Sequence, residues 1–326
     1  MTLVIGTDEA GYGPNLGPLV VAATAWRVAA SPADAEATLT AAVAAATAAA
    51  RGTGPAAPLW ADSKQIYRAG AGFDALERGV SIGLLAAAAD LPGDWAALEG
   101  RVGPISPPDG CRREWRLLPA IALPRQAAAA HCLAAAPAVR AALDAAGVSL
   151  QRIVCRGIYP GTFNARLRDG LNKSDILSHA TLELAAALRA EQPGEPAVVW
   201  CDRHGGRKRY GGLVSRHFDA PLVQALEETP ARSAYAVPAG AGGASADVRI
   251  EFCVGGEARA PVALASMTAK YVRELAMQAF NDAWSEWVPS LQPTAGYPVD
   301  AVRWRRDADA VIRRERVAED DLWRRA

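Results

Sequence analysis

Apolar and polar positions along the chain change rhythm several times, and each rhythm names an element. A β-branched run from Thr2 to Thr7 and an apolar run from Leu19 to Trp26 read as two strands. Between them lies a turn broken by Gly11, Gly13 and Gly17, residues able to take backbone angles closed to other side chains. The segment from Ser31 to Arg51 is alanine-dominated, opens on Ser31 and Pro32 and stops before Gly52, which predicts a helix. A Gly/Pro-rich loop over 53–58 leads to LWADSKQIY, residues 59–67. From about 70 to 146 the pattern weakens. Prolines stand at 92, 104, 107, 108, 119, 124 and 137, a Gly/Pro-rich loop occupies 103–110, and Arg125 to Ala146 is an alanine-rich helical stretch. The region reads as an elaboration packed on a core rather than as a second catalytic unit.

Beyond Leu150 the pattern sharpens. Arg152 to Cys155 is a short strand. In LNKSDILSHATLELAAALRAE, Asn172 or Ser174 offers an N-cap, and Ile176, Leu177, Ala180, Leu184, Ala187 and Leu188 recur at helical spacing until Gly194 ends the helix. Ala197 to Cys201, AVVWC, is a continuous apolar run, the mark of a central strand covered on both faces, and Asp202 stands at its end. Val248 to Val254 predicts another strand, broken by Gly255 and Gly256 ahead of Glu257. Pro261 opens a long helix to about Trp287, with one apolar stripe through Val272, Leu275, Ala276, Ala279, Phe280, Ala283 and Trp284, and Pro289 terminates it. The tail carries TAGYPVDAVRW and then Arg303, Arg305, Arg306, Arg313, Arg314 and Arg316. An antiparallel start followed by alternating elements predicts an α/β fold, a mixed sheet with helices on its faces.

Composition narrows the partners. With 326 residues, 51% hydrophobic and 21% charged, the chain can bury a sizeable core. Its 35 basic and 35 acidic residues balance, so a nucleic-acid partner needs a local basic patch. Cys111, Cys132, Cys155, Cys201 and Cys253 are odd in number and widely spaced with no C-x-x-C pair, which argues against a zinc or redox motif and for a reducing compartment. Neither a signal peptide nor a bilayer-spanning stretch is read, so a soluble cytoplasmic protein is expected.

Carboxylates sit at three strand ends: Asp8 with Glu9, Asp202, and Glu257. Hard divalent cations take several oxygen ligands, and clustered carboxylates supply them. Neighbours in a strand face opposite ways, so Asp8 and Glu9 converge on one ion only if the chain bends there, as the following glycines permit. In DRHGGRKRY, residues 202–210, Arg203, His204, Arg207, Lys208 and Arg209 surround Asp202 and make a patch able to hold phosphates. His131, His179 and His217 have no partner at ligand spacing.

These residues resemble the type 2 ribonucleases H, ribonuclease HII and its relative ribonuclease HIII. The opening motif of that family, approximately G-I-D-E-A-G-R-G-P-x-x-G-P-V-V, stands here as GTDEAGYGPNLGPLVV, and ADSKQ at 61–65 is similar to its D-S-K-K segment. VVWCD ending at Asp202 is similar to the strand ending in the third catalytic aspartate. GEARAPVALASMTAKYVREL from Gly256 resembles G-D-S-x-x-P-x-I-x-A-A-S-I-x-A-K-V-x-R-D, and TAGYP at 294–298 resembles H-G-Y-P. The five matches fall in family order and cover about half the chain.

The resemblance implies one ribonuclease H-like catalytic domain over 1–326, with the elaboration at about 70–146 and a helical, arginine-rich extension at about 290–326. It further implies hydrolysis of the RNA strand of RNA/DNA hybrids with two Mg²⁺ or Mn²⁺ ions. Asp8, Glu9 and Asp202 would then be metal ligands and catalytic residues, with Glu257 in the place of a family aspartate. Gly11, Tyr12, Gly13, Ser63, Lys64, Arg207, Lys208, Arg209, Lys270 and Tyr297 would contact the nucleic acid. Tyr12 stands where the family has an arginine and Arg203 where it has a glycine, so preference for a single-ribonucleotide junction is not implied. A nucleic-acid-binding protein on the same fold without turnover, or a nuclease for another structured nucleic acid, remains open. No protein partner or membrane is implied, and a monomer is expected.

Overall fold

The computed structural model describes residues 1–51, 59–67, 72–88, 90–108, 113–239 and 246–325, apart from the side chains at 51, 64 and 65. Seven strands, β1 (Thr2–Ala10), β2 (Leu19–Val28), β3 (Val148–Ile158), β4 (Ala197–Asp202), β5 (Gln224–Glu228), β6 (Arg232–Val237) and β7 (Val248–Cys253), form one sheet in the order β3-β2-β1-β4-β7-β6-β5. The central strands β1, β4 and β7 run parallel, whereas β2, β3, β6 and β5 join by antiparallel pairing. The sheet is therefore mixed, as the element order predicts, and its three parallel strands end side by side.

The period of two divides the side chains between two cores. Leu3 and Ile5 of β1, with Val199 and Cys201 of β4, join the core beneath α6 (Pro160–Arg168), α7 (Lys173–Ala190) and α8 (Gly211–His217). Val4, Val198 and Trp200 join the opposite core, shared with α1 (Ala35–Arg51), α3 (Phe73–Ala87), α4 (Trp95–Val102), α5 (Ala129–Ala145), α9 (Ala260–Trp287) and α10 (Pro298–Arg314). Two single-turn helices, α2 (Ser63–Ile66) and α11 (Glu319–Leu322), lie against α9 and α6. This double cover is why AVVWC is apolar at every position. Among the described residues no helix is long and apolar enough to cross a membrane.

A buried carboxylate ties α3 and the turn before α5 to α9. Glu77 of α3 accepts the backbone N–H groups of Arg125, Gln126 and Ala127 at 2.6 to 2.8 Å and the Tyr271 hydroxyl at 2.9 Å. Four donors compensate the burial of a charge that is 0% exposed.

Several boundaries differ from the sequence reading. The first strand continues through Asp8 and Glu9 to Ala10, because β2 pairs with it residue by residue as far as Ala10↔Val20. The helix expected from Ser31 starts at Ala35, and the stretch expected from Arg125 starts at Ala129, its preceding N–H groups being taken by Glu77. Helix α7 stops at Ala190 rather than at Gly194, since Arg189 donates to the carbonyls of Gln192, Pro193 and Ala246 and turns the chain there. Its N-cap is Asn172, in a reciprocal capping box with Asp175. Strands β5 and β6 escape pattern reading: QALEE is mostly exposed and has no apolar face.

Strand β1 meets the start of α9 with no space to spare. A Cβ on Gly6 would lie 2.2 Å from the Pro261 carbonyl carbon and 2.5 Å from the Val262 nitrogen, both backbone atoms. Gly6→Ala is therefore expected to lower unfolding stability by about 2 kcal/mol or more, read from the denaturant midpoint; an unchanged midpoint would mean that β1 and α9 part freely.

Candidate active site

Parallel register brings the acids together. Thr7 of β1 pairs with Cys201 of β4, so the next residues, Asp8 and Asp202, stand on adjacent strands just beyond their last paired positions. Asp202 is opposite Cys253 of β7, and the chain leaving β7 turns through Gly255, at φ 72°, into a short 3₁₀ turn, Gly256–Ala258, that carries Glu257. Gly256 lies so close that its Cβ would stand 3.2 Å from the Asp202 Cα, and its N–H donates to Asp202 Oδ1 at 2.9 Å. A side chain at 256 would push that donor away.

The bend expected at Asp8 and Glu9 lies further on. Because β1 stays regular to Ala10, the two carboxylates alternate across the sheet, and the chain turns only at Gly11, at φ 85°. Asp8 is buried on the α9 face, where Ser266 stands, while Glu9 is half-buried and its field reaches Tyr12.

Burial is the main reason that the Asp8 carboxyl sits well above the ordinary carboxylate range. The Glu9 charge raises it further, Ser266 offsets part of the rise, and Asp202 and Glu257 add to it. The four acids named from sequence thus share one electrostatic neighbourhood. Glu257 is oriented by the buried Ser266 hydroxyl, which donates to Glu257 Oε1 at 3.0 Å and lies 3.0 Å from the Ser63 hydroxyl of α2. Beside Glu257 opens a cleft of about 400 Å³ that includes Trp60, Asp62 and Gly255.

Two observations bear on whether this neighbourhood suits a metal. Asp8 Oδ2 is buried with no hydrogen-bond partner, and the donor set is all carboxylate oxygen, the chemistry of Mg²⁺ and Mn²⁺ rather than of zinc. Among the described residues, however, no three His, Cys, Asp or Glu side chains are gathered closely enough to hold one ion. Electrostatic coupling reaches further than coordination does, and like charges facing one another stay apart. The donor chemistry fits a hard cation; the ligand shell is not preassembled.

The expected nucleic-acid contacts divide. Gly13 and Tyr297 are exposed, and a Cβ on Gly13 would stand 3.7 Å from the Tyr297 ring. Lys208 and Arg209 are exposed as well, Arg209 lying 3.6 Å from Glu228. Arg207, by contrast, is committed to the first turn of α7, bonding Ser174 at 3.0 Å and pairing with Asp175, so it braces the loop. His204 in the same loop is buried against Ser178 at 2.9 Å, and burial, then Arg207, pushes its pKa down to about 3, so it stays neutral. Ser63 is buried beside Ser266 rather than presented outward, and the side chain of Lys64 lies outside the described residues. Lys270 is half-buried, 3.4 Å from Glu274 and 4.2 Å from the centre of the Tyr67 ring.

Tyr12 is half-buried, and the Lys173 ammonium at the start of α7 lies 4.6 Å above its ring. Two buried guanidiniums hold the loop that follows. Arg273 donates to Ala295 O at 2.8 Å, and Arg324 donates to Gly11 O at 2.7 Å and to Pro14 O. Burial, and then the neighbouring Arg273, pushes the Arg324 pKa down to about 9. Sequence reading missed Ser266, Lys173, Arg273 and Arg324 as site residues. Arg273 lies within TAKYVREL and was within reach of the motif; Arg324 was one arginine among many. His179 and His217, without a partner at ligand spacing in the sequence, are brought together by α7 and α8, with Nδ1 of the first 2.7 Å from Nε2 of the second.

Because the folded Asp8 pKa is raised, the penalty for ionising it is absent below the unfolded carboxylate value and grows as pH rises through the folded one. Without divalent cations the wild type is therefore expected to lose stability over that interval. Asp8→Asn should flatten the loss and raise the denaturant midpoint at neutral pH. Mn²⁺ should raise the midpoint of the wild type and not of Asp8→Asn; equal shifts in both would exclude Asp8 as a ligand.

No protein-family model matches the chain, and no curated protein matches it in sequence. Among solved structures it is similar to Bst-RNase HIII in complex with Mn²⁺, at 16% identity and a TM-score of 0.46, over 99% of this chain and 66% of that one. RNase HII of the PCNA:RNase HII complex from Archaeoglobus fulgidus is similar at 15% identity and a TM-score of 0.41, over 99% of this chain and 94% of that one. Ribonuclease H2 from Pyrococcus horikoshii OT3 follows at 15% and 0.38, over 98% and 92%. The chain thus spans just under two thirds of the Bst-RNase HIII chain and nearly all of the other two. At such identities the likeness concerns the course of the chain alone.

Proposed function

We propose that this protein is a metal-dependent endoribonuclease that hydrolyses the RNA strand of RNA/DNA hybrids. The observation that carries the reading is the buried Asp8, with an unpartnered carboxylate oxygen, in the combined field of Glu9, Asp202 and Glu257. Such an arrangement is costly in a protein that has no cation to hold. The ordered motifs from Gly6 to Pro298 add the substrate class.

In this reading Asp8, Glu9, Asp202 and Glu257 would hold two Mg²⁺ or Mn²⁺ ions. Such ions, when bound, supply a water acidic enough to attack a phosphodiester at neutral pH and offset charge on the leaving oxygen. The chain's own groups do the rest. The Gly256 N–H fixes the rotamer of Asp202, and Ser266, backed by Ser63, fixes that of Glu257. Gly11 and Gly13 let the backbone approach the minor groove, where 2′-hydroxyls distinguish RNA from DNA. Exposed Tyr297 offers a stacking face beside Gly13, and Lys208 and Arg209 offer cations to the phosphates. Lys270 adds a further cation, and Tyr12, with Lys173 on its ring, would meet the strand in place of a longer cation.

The test is cleavage of a labelled RNA/DNA hybrid and of a duplex holding a single ribonucleotide, with Mg²⁺ or Mn²⁺ added. Wild type should cut the uniform hybrid. Asp8→Asn and Asp202→Asn should each cut roughly a thousandfold more slowly, a loss of about 4 kcal/mol of transition-state stabilisation. Absence of metal-dependent cleavage of either duplex overturns the proposal, and hybrid binding that persists without turnover would assign the chain to nucleic-acid binding alone.

A further inference from the structure

Residues 319–325 form a strap on the glycine loop that follows Glu9. Leu16 and Trp323 meet in an antiparallel bridge, the Arg324 N–H donates to Asn15 O at 2.8 Å, and the Asn15 side chain returns a bond to Arg324 O at 3.1 Å. The strap is tied at its other side to α6. Asn164 donates to Asp320 O at 3.0 Å and Trp323 O at 2.7 Å and accepts the Arg325 N–H at 3.0 Å, while Arg168 pairs with Asp320 at 2.7 Å.

From this strap the Arg324 side chain reaches inward. It is 1% exposed, lies 5.2 Å over the Phe163 ring, and donates to the carbonyls of Gly11 and Pro14. Its Nε and Nη1 are buried without a hydrogen-bond partner. An apolar side chain would fill such a space at far lower cost than a cation. What a guanidinium adds is the two N–H bonds of Nη2, which take hold of both carbonyls at once. A trans peptide directs its C=O and N–H in opposite senses, so drawing in Gly11 O sets the plane of the Gly11–Tyr12 peptide and turns its N–H away from Arg324. From the far side, Gly296 O takes the N–H groups of Asn15 and Leu16 at 2.8 and 3.2 Å. The loop is gripped through its carbonyls by Arg324 and through its N–H groups by Gly296.

We propose that Arg324 is the positioning residue of the Gly11–Leu16 loop: it presets the Gly11–Tyr12 peptide and the Tyr12 ring for the nucleic-acid strand, a role that rests on the nuclease reading above. It touches neither substrate nor the carboxylates and acts through the loop.

The test uses the full chain with Arg324→Met, which keeps the bulk and removes the donors, and Arg324→Lys, which keeps N–H donors on a shorter stem. Arg324→Met should raise KM for the hybrid about tenfold, the scale of losing charge-assisted hydrogen bonds, with kcat within about twofold of wild type. Arg324→Lys should recover part of that rise. Hydrogen exchange over 11–16 should quicken in Arg324→Met while exchange in β1 and β4 stays slow. Arg325→Ala, on the exposed side of the same strap, should match wild type. Unchanged exchange and KM in Arg324→Met would overturn the proposal, as would an equal KM rise in Arg325→Ala. If wild type shows no action on hybrids, the nuclease reading fails, and exchange over 11–16 still decides whether Arg324 holds the loop.

Discussion

Carboxylates whose fields meet at a buried Asp8 repel one another, and a protein keeps them close only with a frame stiff enough to bear that repulsion. Parallel pairing of β1 with β4 supplies the frame, because it sets Asp8 and Asp202 on adjacent strands just past their last paired residues. The start of α9 then closes on β1 so tightly that only glycine fits at position 6, and Gly256 lies tight against the Asp202 backbone while its N–H reaches the Asp202 carboxylate. The contact at Gly6 is backbone against backbone, the least compressible kind. Ser266 extends the same helix into the site as the donor that turns Glu257.

The opposite charge is gathered a few residues away. Arg273 and Arg324 lie buried along the loop that leaves β1, and Lys173 covers the ring of Tyr12. Equal numbers of acids and bases in the chain conceal this separation: the acids stand at the strand ends and the guanidiniums beneath the loop beside them.

Much of this was legible along the chain wherever a residue's environment is dictated by its neighbours in sequence. AVVWC announced a strand covered on both faces, Pro261 and the apolar stripe announced α9, and DEAGYG announced acids beside a turn. Other features resisted reading for definite reasons. Strand β5 is mostly exposed, so no alternation marks it. Helix α7 ends at Ala190, next to Arg189, whose side chain finds carbonyls as distant as Ala246, which no local stop signal records. Arg207 reads as a phosphate ligand in a basic run, yet its partners are Ser174 and Asp175, more than thirty residues away along the chain.

The identities of the acids, the mixed sheet and the glycine turn follow from local pattern, since backbone freedom and strand periodicity are properties of short stretches. Which acids face one another, on which side of the sheet each stands, and which arginine holds the loop were decided by tertiary structure alone. Asp8 and Glu9 are neighbours in sequence yet lie on opposite faces. Gly11 and Arg324 stand at opposite ends of the chain yet share a hydrogen bond of 2.7 Å. Electrostatic coupling and burial depend on distance through space, and the chain's order does not contain that distance until strands and helices have packed.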